Sequence, residues 1–259
     1  MITEYYRPKT LEEALKLLAQ PDTRPLGGGT ALTQQRDGSF AVVDLQALGL
    51  NKIRKVGDKL EIGAAATLNL LLDNLHTPEA LKTALSLEAP LNLRNMGTVA
   101  GALVTCDGRS PFAAVMLALD AKLTVNGGQL TDNGHRPTVY GLGDFLPLRV
   151  ETDSVRPGEL ITRIEIPLNV KLAFETVARS PMDKPIVCAA LAQWPSGRTR
   201  LALGGWGKSP SLAMDGNEPG GLQEAARNAA AEAGNEWASA EYRSEVAVVL
   251  AKRCLGTIS

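Results

Sequence analysis

LGGGTAL at residues 26–32 and RNMGTVAG at residues 94–101 decide the fold of this chain. Each stretch is glycine-rich and carries a threonine, Thr30 in the first and Thr98 in the second. Glycine lets a backbone approach a ligand closely, and N–H groups in such turns bind anions. A single glycine cluster is more often an ordinary turn. Two clusters of the same kind favour a pair of glycine loops that close on one extended anionic ligand.

Charge and cysteine content exclude several classes of protein. The 259 residues include 27 basic and 28 acidic side chains, for a formal net charge of −1. This balance argues against nucleic-acid partners and against an anionic membrane surface. The N-terminus has neither a basic nor an apolar leader region, and no apolar run reaches the ~18 residues of a membrane span. With three widely spaced cysteines, we expect a cytoplasmic protein without disulfides or direct membrane insertion.

Local patterns predict alternating helices and strands. Thr10 and Glu13 form a capping box before an apolar helical face, and Ser110 with Pro111 marks another helix start. Helices are predicted from residue 11 for about 10 residues and at 67–75, 78–89, 110–119, 222–233 and 241–255, and strands at 41–46, 60–67, 121–125, 158–167, 185–194 and 198–207. We expect the second glycine loop to join a helix to strand-like backbone. A Gly/Pro-rich linker is expected at 208–221, and a domain boundary near 168.

The glycine loops match no common nucleotide motif. The chain contains neither a G-x-x-x-x-G-K-[ST] loop nor a G-x-G-x-x-G fingerprint between a strand and a helix. A different cofactor fold is therefore expected. The predicted helix N-terminus at Ser110 offers a second place where an anionic group could rest, because unpaired N–H groups and the positive end of the helix dipole lie there.

No residue pattern indicates a catalytic centre or a metal site. His76 and His135 are isolated, and three scattered cysteines are too few for an iron–sulfur cluster that needs four ligands. Cys106 has no adjacent base, so a buried thiol is favoured over a reactive one. A core or interface role is favoured over ligand stacking for the tryptophans, which are Trp194, Trp206 and Trp237. We expect no catalytic acid, base or nucleophile and no metal.

Eight segments together resemble one known family, in order and in spacing. They are RPLGGGTALTQQRDG, VVDLQALGLNKI, IGAAATLNLLL, LRNMGTVAGALV, LALDAKLTV, PGELITRIEIP, FETVARSPMDKPIV and SAEYRSEVAVVLAKRCL. The chain resembles the FAD-binding medium subunit of the molybdenum hydroxylases, the flavoprotein of the carbon monoxide dehydrogenase and xanthine dehydrogenase group. The resemblance covers nearly the whole chain.

The resemblance implies an α+β protein with a PCMH-type FAD-binding domain. Two α/β lobes, residues 1–54 and 55–167, would hold an extended FAD between them, and residues 168–259 would form a small C-terminal α+β domain. The family pattern places the pyrophosphate between the two glycine loops, at Gly27, Gly28, Gly29, Thr30, Ala31 and Leu32 of the first and at Asn95, Gly97, Thr98 and Gly101 of the second. It also implies Leu160 near the flavin or adenine end and Arg179 and Asp183 near the isoalloxazine.

Several positions depart from the family pattern. Ala31 stands where relatives often carry Asp, Ala100 and Ala102 replace a glycine and an asparagine, Pro111 takes the place of a common Asp, and Glu175 that of a frequent Lys. Each lost hydrogen bond costs ~1 kcal/mol of binding, so FAD is expected to bind more weakly or through substitutes.

The segment CDGRSP at residues 106–111 offers two such substitutes. Asp107 could accept a hydrogen bond from a ribose or a ring N–H, and Arg109 could neutralise a phosphate. In the alternative interpretation, the two side chains pair with each other in a solvated turn. The sequence leaves both open.

The resemblance also implies a function, as an FAD-dependent oxidoreductase subunit. Electrons would arrive from a separate [2Fe–2S] small subunit and leave through FAD to an acceptor such as NAD or a quinone, while the substrate is oxidised on a separate molybdopterin large subunit. One alternative is an assembly subunit that has lost FAD or holds it weakly. A more distant one is a stand-alone oxidase with FAD joined covalently to a His or Cys.

Overall fold

Three separate β-sheets with their own helices make up the computed structural model, which describes residues 1–34, 38–127, 137–152, 156–181 and 183–258. In chain order the strands are β1 (Ile2–Tyr6), β2 (Thr23–Leu26), β3 (Phe40–Asp44), β4 (Ile53–Val56), β5 (Lys59–Gly63), β6 (Lys122–Gly127), β7 (Thr138–Gly141), β8 (Glu159–Pro167), β9 (Lys171–Val177), β10 (Val187–Gln193), β11 (Thr199–Gly204) and β12 (Ser211–Gly216). The helices are α1 (Leu11–Leu18), α2 (Leu68–Leu72), α3 (Glu79–Glu88), α4 (Leu91–Met96), α5 (Val99–Thr105), α6 (Pro111–Ala118), α7 (Leu142–Thr152), α8 (Leu222–Ala229) and α9 (Ala240–Ile258).

The first sheet is parallel, in the order β1-β3-β2, and α1 covers it. The predicted helix start is confirmed, since the Thr10 hydroxyl accepts a hydrogen bond from the Glu13 N–H at 3.2 Å. Apolar residues of α1 and β3 form a small core, and Leu160 of β8 joins it. The first glycine loop follows β2 directly, so the sheet edge fixes where that loop begins.

The second sheet is antiparallel, in the order β4-β5-β8-β6-β7. It shares the largest core with α6, whose eight residues are all buried because the helix also packs against β10 and β11 of the third sheet. Ser110 caps α6 as predicted, with its hydroxyl accepting from the Ala113 N–H at 3.0 Å. The second glycine loop spans the junction between α4 and α5.

The third sheet is antiparallel, in the order β12-β11-β10-β9, and packs against α8 and α9. Two predictions about connections were wrong. The stretch 208–221 contains strand β12, because edge pairing with β11 orders a segment whose Gly/Pro content indicated a linker. The second glycine loop leads into helix α5 rather than strand-like backbone, because Thr98 caps a helix through the Gly101 N–H.

The three sheets suggest where the chain divides. We propose the boundaries 1–54, 55–167 and 168–259 as structural units, with one adjustment. Strand β4 (Ile53–Val56) pairs with β5, so its first residues go with the second sheet rather than the first. The second unit would then begin at Ile53.

Candidate functional site

The two glycine loops lie in direct contact. A Cβ atom added to Gly28 would stand 1.7 Å from the Met96 carbonyl oxygen, and one added to Gly27 would stand 2.9 Å from the Thr98 hydroxyl oxygen. Only residues without a side chain permit this approach of one backbone to another. The expected pairing of the loops is therefore present in the structure, although the sequence places them far apart.

The first glycine loop presents N–H groups that have no partner among the residues that the structure describes. The N–H groups of residues 27–31 donate no hydrogen bond to any other residue that the structure describes. Thr33 closes the turn by donating to the Gly29 carbonyl oxygen from both its N–H (3.1 Å) and its hydroxyl (3.0 Å), and Gly29 adopts a φ of 73°. These residues are half-buried. Such a row of N–H donors without protein partners fits an anionic group such as a pyrophosphate.

The second glycine loop differs, because the N–H groups of both its glycines are already bonded. The Gly97 N–H donates to the Leu93 carbonyl oxygen at 2.6 Å, and the Gly101 N–H donates to the Thr98 hydroxyl oxygen at 3.2 Å. A Cβ at Gly101 would stand 2.8 Å from that hydroxyl oxygen. Gly97 and Gly101 thus supply space and helix capping rather than free donors to a ligand.

Exposure shows which parts of the second glycine loop a ligand can reach. Gly97 and Thr98 are buried against the first loop, whereas Asn95 is exposed and residues 100–102 are half-buried. We call two half-buried stretches of the loops the accessible strip. It consists of residues 27–32 of the first loop and residues 100–102 of the second. Ala100 and Ala102 belong to this strip, so a ligand lying along it would meet their small side chains.

The side chain of Leu160 lies in the core of the first sheet, and its place near the flavin or adenine end stays a prediction. Its side chain is only 5% exposed and packs with Leu15, Leu18 and Val43 in the core of the first sheet. Little of its surface is left for a flavin or an adenine. Leu160 instead joins β8 of the second sheet to the first unit, because an apolar residue at the start of that strand meets the apolar face of α1.

The side chains of Asp107 and Arg109 do not pair with each other, and both bond to residues 184–185. The Asp107 carboxylate accepts from the Arg109 N–H at 2.9 Å and forms an ion pair with the Lys184 ammonium at 2.7 Å. The Arg109 guanidinium donates to the carbonyl oxygens of Lys184 (2.6 Å) and Pro185 (2.9 Å). Of the two alternatives from the sequence, the mutual pairing of the side chains was wrong, and their contact with a ligand stays a prediction. The two side chains fasten residues 106–111 to the segment that leads into β10.

Backbone contacts strengthen this attachment. The Gly108 N–H donates to the Gly207 carbonyl oxygen at 3.0 Å, and the Gly108 carbonyl oxygen accepts from the Gly205 N–H at 2.6 Å. A Cβ on Gly108 would meet the Trp206 carbonyl oxygen at 1.6 Å. The second and third units are thus in backbone contact at this point.

Arg179 and Asp183 lie close together and form an ion pair. Arg179 Nε is 3.4 Å from Asp183 Oδ2, and both side chains are partly exposed. The Arg179 guanidinium also lies over the ring of Trp237, 4.6 Å from its centroid. Sequence reasoning missed Trp237 as part of this site, because a single tryptophan 58 positions along the chain from Arg179 (237 − 179) carries no local pattern that links the two.

The N-terminus of α6 is already occupied by a carboxyl group that belongs to the protein. Glu88, at the end of α3, accepts from the Ser110 hydroxyl at 2.8 Å and from the Phe112 N–H at 3.1 Å. Burial raises the pKa of the Glu88 carboxyl, while these two hydrogen bonds act in the opposite direction. The prediction that an external anionic group rests at this helix start was therefore wrong. The carboxyl group of Glu88, which is remote in sequence, fills the place.

Neither a cluster of metal-ligating side chains nor a helix able to cross a membrane is found in the described part of the chain. Within those ranges, no group of three His, Cys, Asp or Glu side chains is placed to hold a metal ion. His135 lies outside the described residues. Of the helices that the structure describes, none combines the length and apolar character that a membrane crossing needs.

The three cysteine thiols provide a test of burial. All are buried, and desolvation raises the pKa of Cys106 from 9.0 to about 11 and those of Cys188 and Cys254 to about 12. We expect a thiol reagent at pH 8 to leave folded protein unmodified and to modify three thiols per chain in denaturant. Because the unfolded thiols ionise at lower pH, stability should also fall as pH rises above 9.0. Rapid modification of one thiol in the folded chain would contradict the burial.

Comparisons with known proteins agree with this geometry. Residues 1–169 match the family model of the FAD-binding domain in molybdopterin dehydrogenase. The glyceraldehyde dehydrogenase medium chain of Sulfolobus acidocaldarius is 30% identical over 230 residues, which cover 82% of this chain and 78% of that protein. A structure of reconstituted CO dehydrogenase from Oligotropha carboxidovorans is similar over 98% of this chain and 96% of its own, at 26% identity and a TM-score of 0.78. A Cu,Mo-CO dehydrogenase structure, in a cyanide-inactivated form, matches over 100% of this chain and 98% of its own, at 25% identity and a TM-score of 0.78.

The chain belongs to the family of FAD-binding domains in molybdopterin dehydrogenases. The resemblance drawn from its eight segments is confirmed, and so is the α+β fold class of the FAD-binding subunits. FAD is the cofactor of this family, and the chain is an oxidoreductase component.

Proposed function

We propose that this chain is the electron-transfer subunit of a molybdenum-containing hydroxylase or dehydrogenase and holds FAD between its two glycine loops. The observation that carries the proposal is the row of unused N–H groups at residues 27–31, set against the half-buried strip 100–102. The family membership supplies the identity of the ligand.

In this proposal the residues of the first glycine loop bind and orient, and none acts as an acid or a base. The N–H groups of residues 27–31 bind the pyrophosphate, and the glycines allow its oxygens to come close to the backbone. Arg179 and Asp183 face the isoalloxazine end, where a cation favours electron-rich states of a nearby ring. FAD, when bound, supplies the capacity to accept electrons from a one-electron donor and to pass them on. The protein supplies position and electrostatics.

The wider assembly follows from the same proposal. A [2Fe–2S] small subunit donates electrons, a molybdopterin large subunit oxidises the substrate, and NAD or a quinone accepts electrons from the flavin. Such a complex is cytoplasmic and has no need of a catalytic acid or base in this chain. A named relative, the 6-hydroxypseudooxynicotine dehydrogenase complex subunit alpha of Paenarthrobacter nicotinovorans, is a subunit of a complex by its own name, and it is 30% identical over 177 residues.

A flavin spectrum tests the cofactor part of the proposal. Purified chain incubated with FAD and then desalted should retain flavin absorbance in a 1:1 ratio. The same absorbance should be lost from the chain after denaturation and desalting, with no change in the mass of the polypeptide. Flavin that stays attached would instead favour a covalent oxidase, and no retained flavin at all would favour the assembly subunit.

The departures from the family pattern predict how firmly FAD is held. Ala102→Asn restores a side chain that relatives carry on the accessible strip, and we expect it to tighten FAD binding about fivefold, the equivalent of one added hydrogen bond. Titration of flavin fluorescence gives the dissociation constant. The matched control is Ala231→Asn, at an exposed position after α8, which should leave it unchanged. Equal constants for all three proteins would place the ligand away from this strip.

A further inference from the structure

Trp237 lies between two arginine side chains that come from different parts of the fold. The Arg109 guanidinium is 4.7 Å and the Arg179 guanidinium 4.6 Å from the centroid of its ring. Arg109 follows α5 in the second unit, and Arg179 follows β9 in the third. The indole is 39% exposed, so its orientation depends on these two contacts more than on a surrounding core.

The turn that carries Trp237 is held by hydrogen bonds to the side chain of Asn235. The Asn235 side-chain oxygen accepts from the Trp237 N–H at 2.9 Å and from the Arg243 guanidinium at 2.8 Å. Arg243 is completely buried and also donates to the Ile186 carbonyl oxygen at 3.2 Å. The backbone that carries the indole is therefore attached to the buried side chain of Arg243 through Asn235.

Both arginines bond to residues 183–185, which adjoin the flavin end of the proposed site. Arg109 donates to the carbonyl oxygens of Lys184 and Pro185, and Arg179 forms its ion pair with Asp183. With a side chain that is 59% exposed, Arg179 has few other restraints on its conformation. Loss of the indole would free this guanidinium directly, and it would remove one of the contacts that orient Arg109.

We propose that Trp237 is a positioning residue that holds Arg179 in a fixed orientation at the flavin end of the site, with Arg109 as its second support. The part that concerns flavin rests on the proposed function. The part that concerns the fixed orientation of Arg179 does not rest on it, so the two parts are tested separately.

Trypsin tests the protein part without any cofactor, since the enzyme cleaves after arginine and Arg179 is followed by Ser180. In the full-length chain, Trp237→Leu should speed cleavage after Arg179 about tenfold, the equivalent of about 1.4 kcal/mol. Trp237→Phe keeps an aromatic face and should restore most of the protection. Mass spectrometry identifies the fragment that begins at Ser180.

Trp194→Leu is the matched control. Trp194 also lies under a guanidinium, that of Arg198 at 5.0 Å, but it packs at the other end of the third sheet. Cleavage after Arg179 should stay at the wild-type rate in this variant. Unchanged cleavage in Trp237→Leu would overturn the proposal, and so would an equal increase in Trp194→Leu, because it would show a general loosening of the fold.

The flavin midpoint potential tests the second part. In protein loaded with FAD, Trp237→Leu should shift the potential to more negative values, because a mobile cation stabilises a reduced ring less well than a fixed one. Trp237→Phe should return it toward the wild-type value. Faster cleavage with an unchanged potential would overturn the flavin role of Trp237. If wild-type chain retains no FAD, the proposed function fails, while the trypsin result still decides whether Trp237 fixes the orientation of Arg179.

Discussion

Gly28→Ala is expected to abolish FAD retention and to lower the free energy of unfolding by about 3 kcal/mol, the upper part of the usual range for overpacking. The added Cβ would stand 1.7 Å from the Met96 carbonyl oxygen and 2.5 Å from its carbonyl carbon. Both are backbone atoms, so no side-chain rotation can relieve the overlap. The two glycine loops must separate, and the accessible strip between them loses its shape.

The effect on stability should be measured on protein without FAD, by denaturant unfolding. The obstructing atom belongs to the protein, so destabilisation must be present before any ligand is added. Loss of FAD in this variant then reports the contact between the loops. The Ala102→Asn titration reports separately whether the ligand lies along the accessible strip.

Gly256→Ala is the matched control. Gly256 lies in α9, and a Cβ there would meet nothing within 4 Å. Alanine in a helix is favoured over glycine by roughly 0.5–1 kcal/mol, so this variant should be as stable as the wild type or slightly more so, with FAD retained. If Gly28→Ala unfolded at the same denaturant concentration as Gly256→Ala, the close approach of the two loops would be disproved.

Local sequence signals predicted the parts of the fold that depend on nearby residues. Thr10 and Ser110 cap α1 and α6 as expected, because an N-cap bonds to an N–H three positions away. Pairing of the two glycine loops was also predicted, although from their similarity rather than from a local rule. The α+β class followed from the family resemblance, which rests on eight segments in register.

Long-range contacts account for what the sequence did not reveal. Glu88 at the end of α3 accepts a hydrogen bond from an N–H group at the N-terminus of α6. Lys184 forms an ion pair with Asp107, for which the sequence left a ligand or Arg109 as alternatives. In each case an acidic side chain bonds to a partner that lies far away along the chain. No spacing rule predicts such a partner, because the position of the second group is set by the packing of whole elements. Strand β12 was missed for a related reason, since only its pairing with β11 distinguishes it from a linker.

Arg243→Met is expected to lower the free energy of unfolding by about 4 kcal/mol, because each buried acceptor left without a donor costs about 1–3 kcal/mol. The guanidinium donates to the carbonyl oxygens of Ile186, Ala233 and Gly205 and to the side chain of Asn235. Methionine fills most of the volume but offers no N–H. The three carbonyl oxygens stay buried without their donor, whereas replacing both partners of a buried polar pair by apolar groups would leave no such group behind.

Arg227→Met supplies the matched control, because Arg227 is exposed on α8 and the chemical change is the same. Denaturant unfolding of the two variants separates the loss of buried hydrogen bonds from the general effect of removing a positive charge. Arg227→Met should stay within about 0.5 kcal/mol of the wild type. A loss of under about 1 kcal/mol in Arg243→Met would mean that water replaces the guanidinium, contrary to the burial of this side chain.

The same variant should also weaken the site at a distance. Without Arg243, the Asn235 side chain loses one of its partners, and the turn that presents Trp237 becomes less rigid. Cleavage after Arg179 should therefore accelerate at denaturant concentrations where the chain is still folded, and Arg227→Met should show no such change. A buried arginine of the last helix would then be linked to the order of an exposed arginine at the flavin end, through one asparagine and one indole.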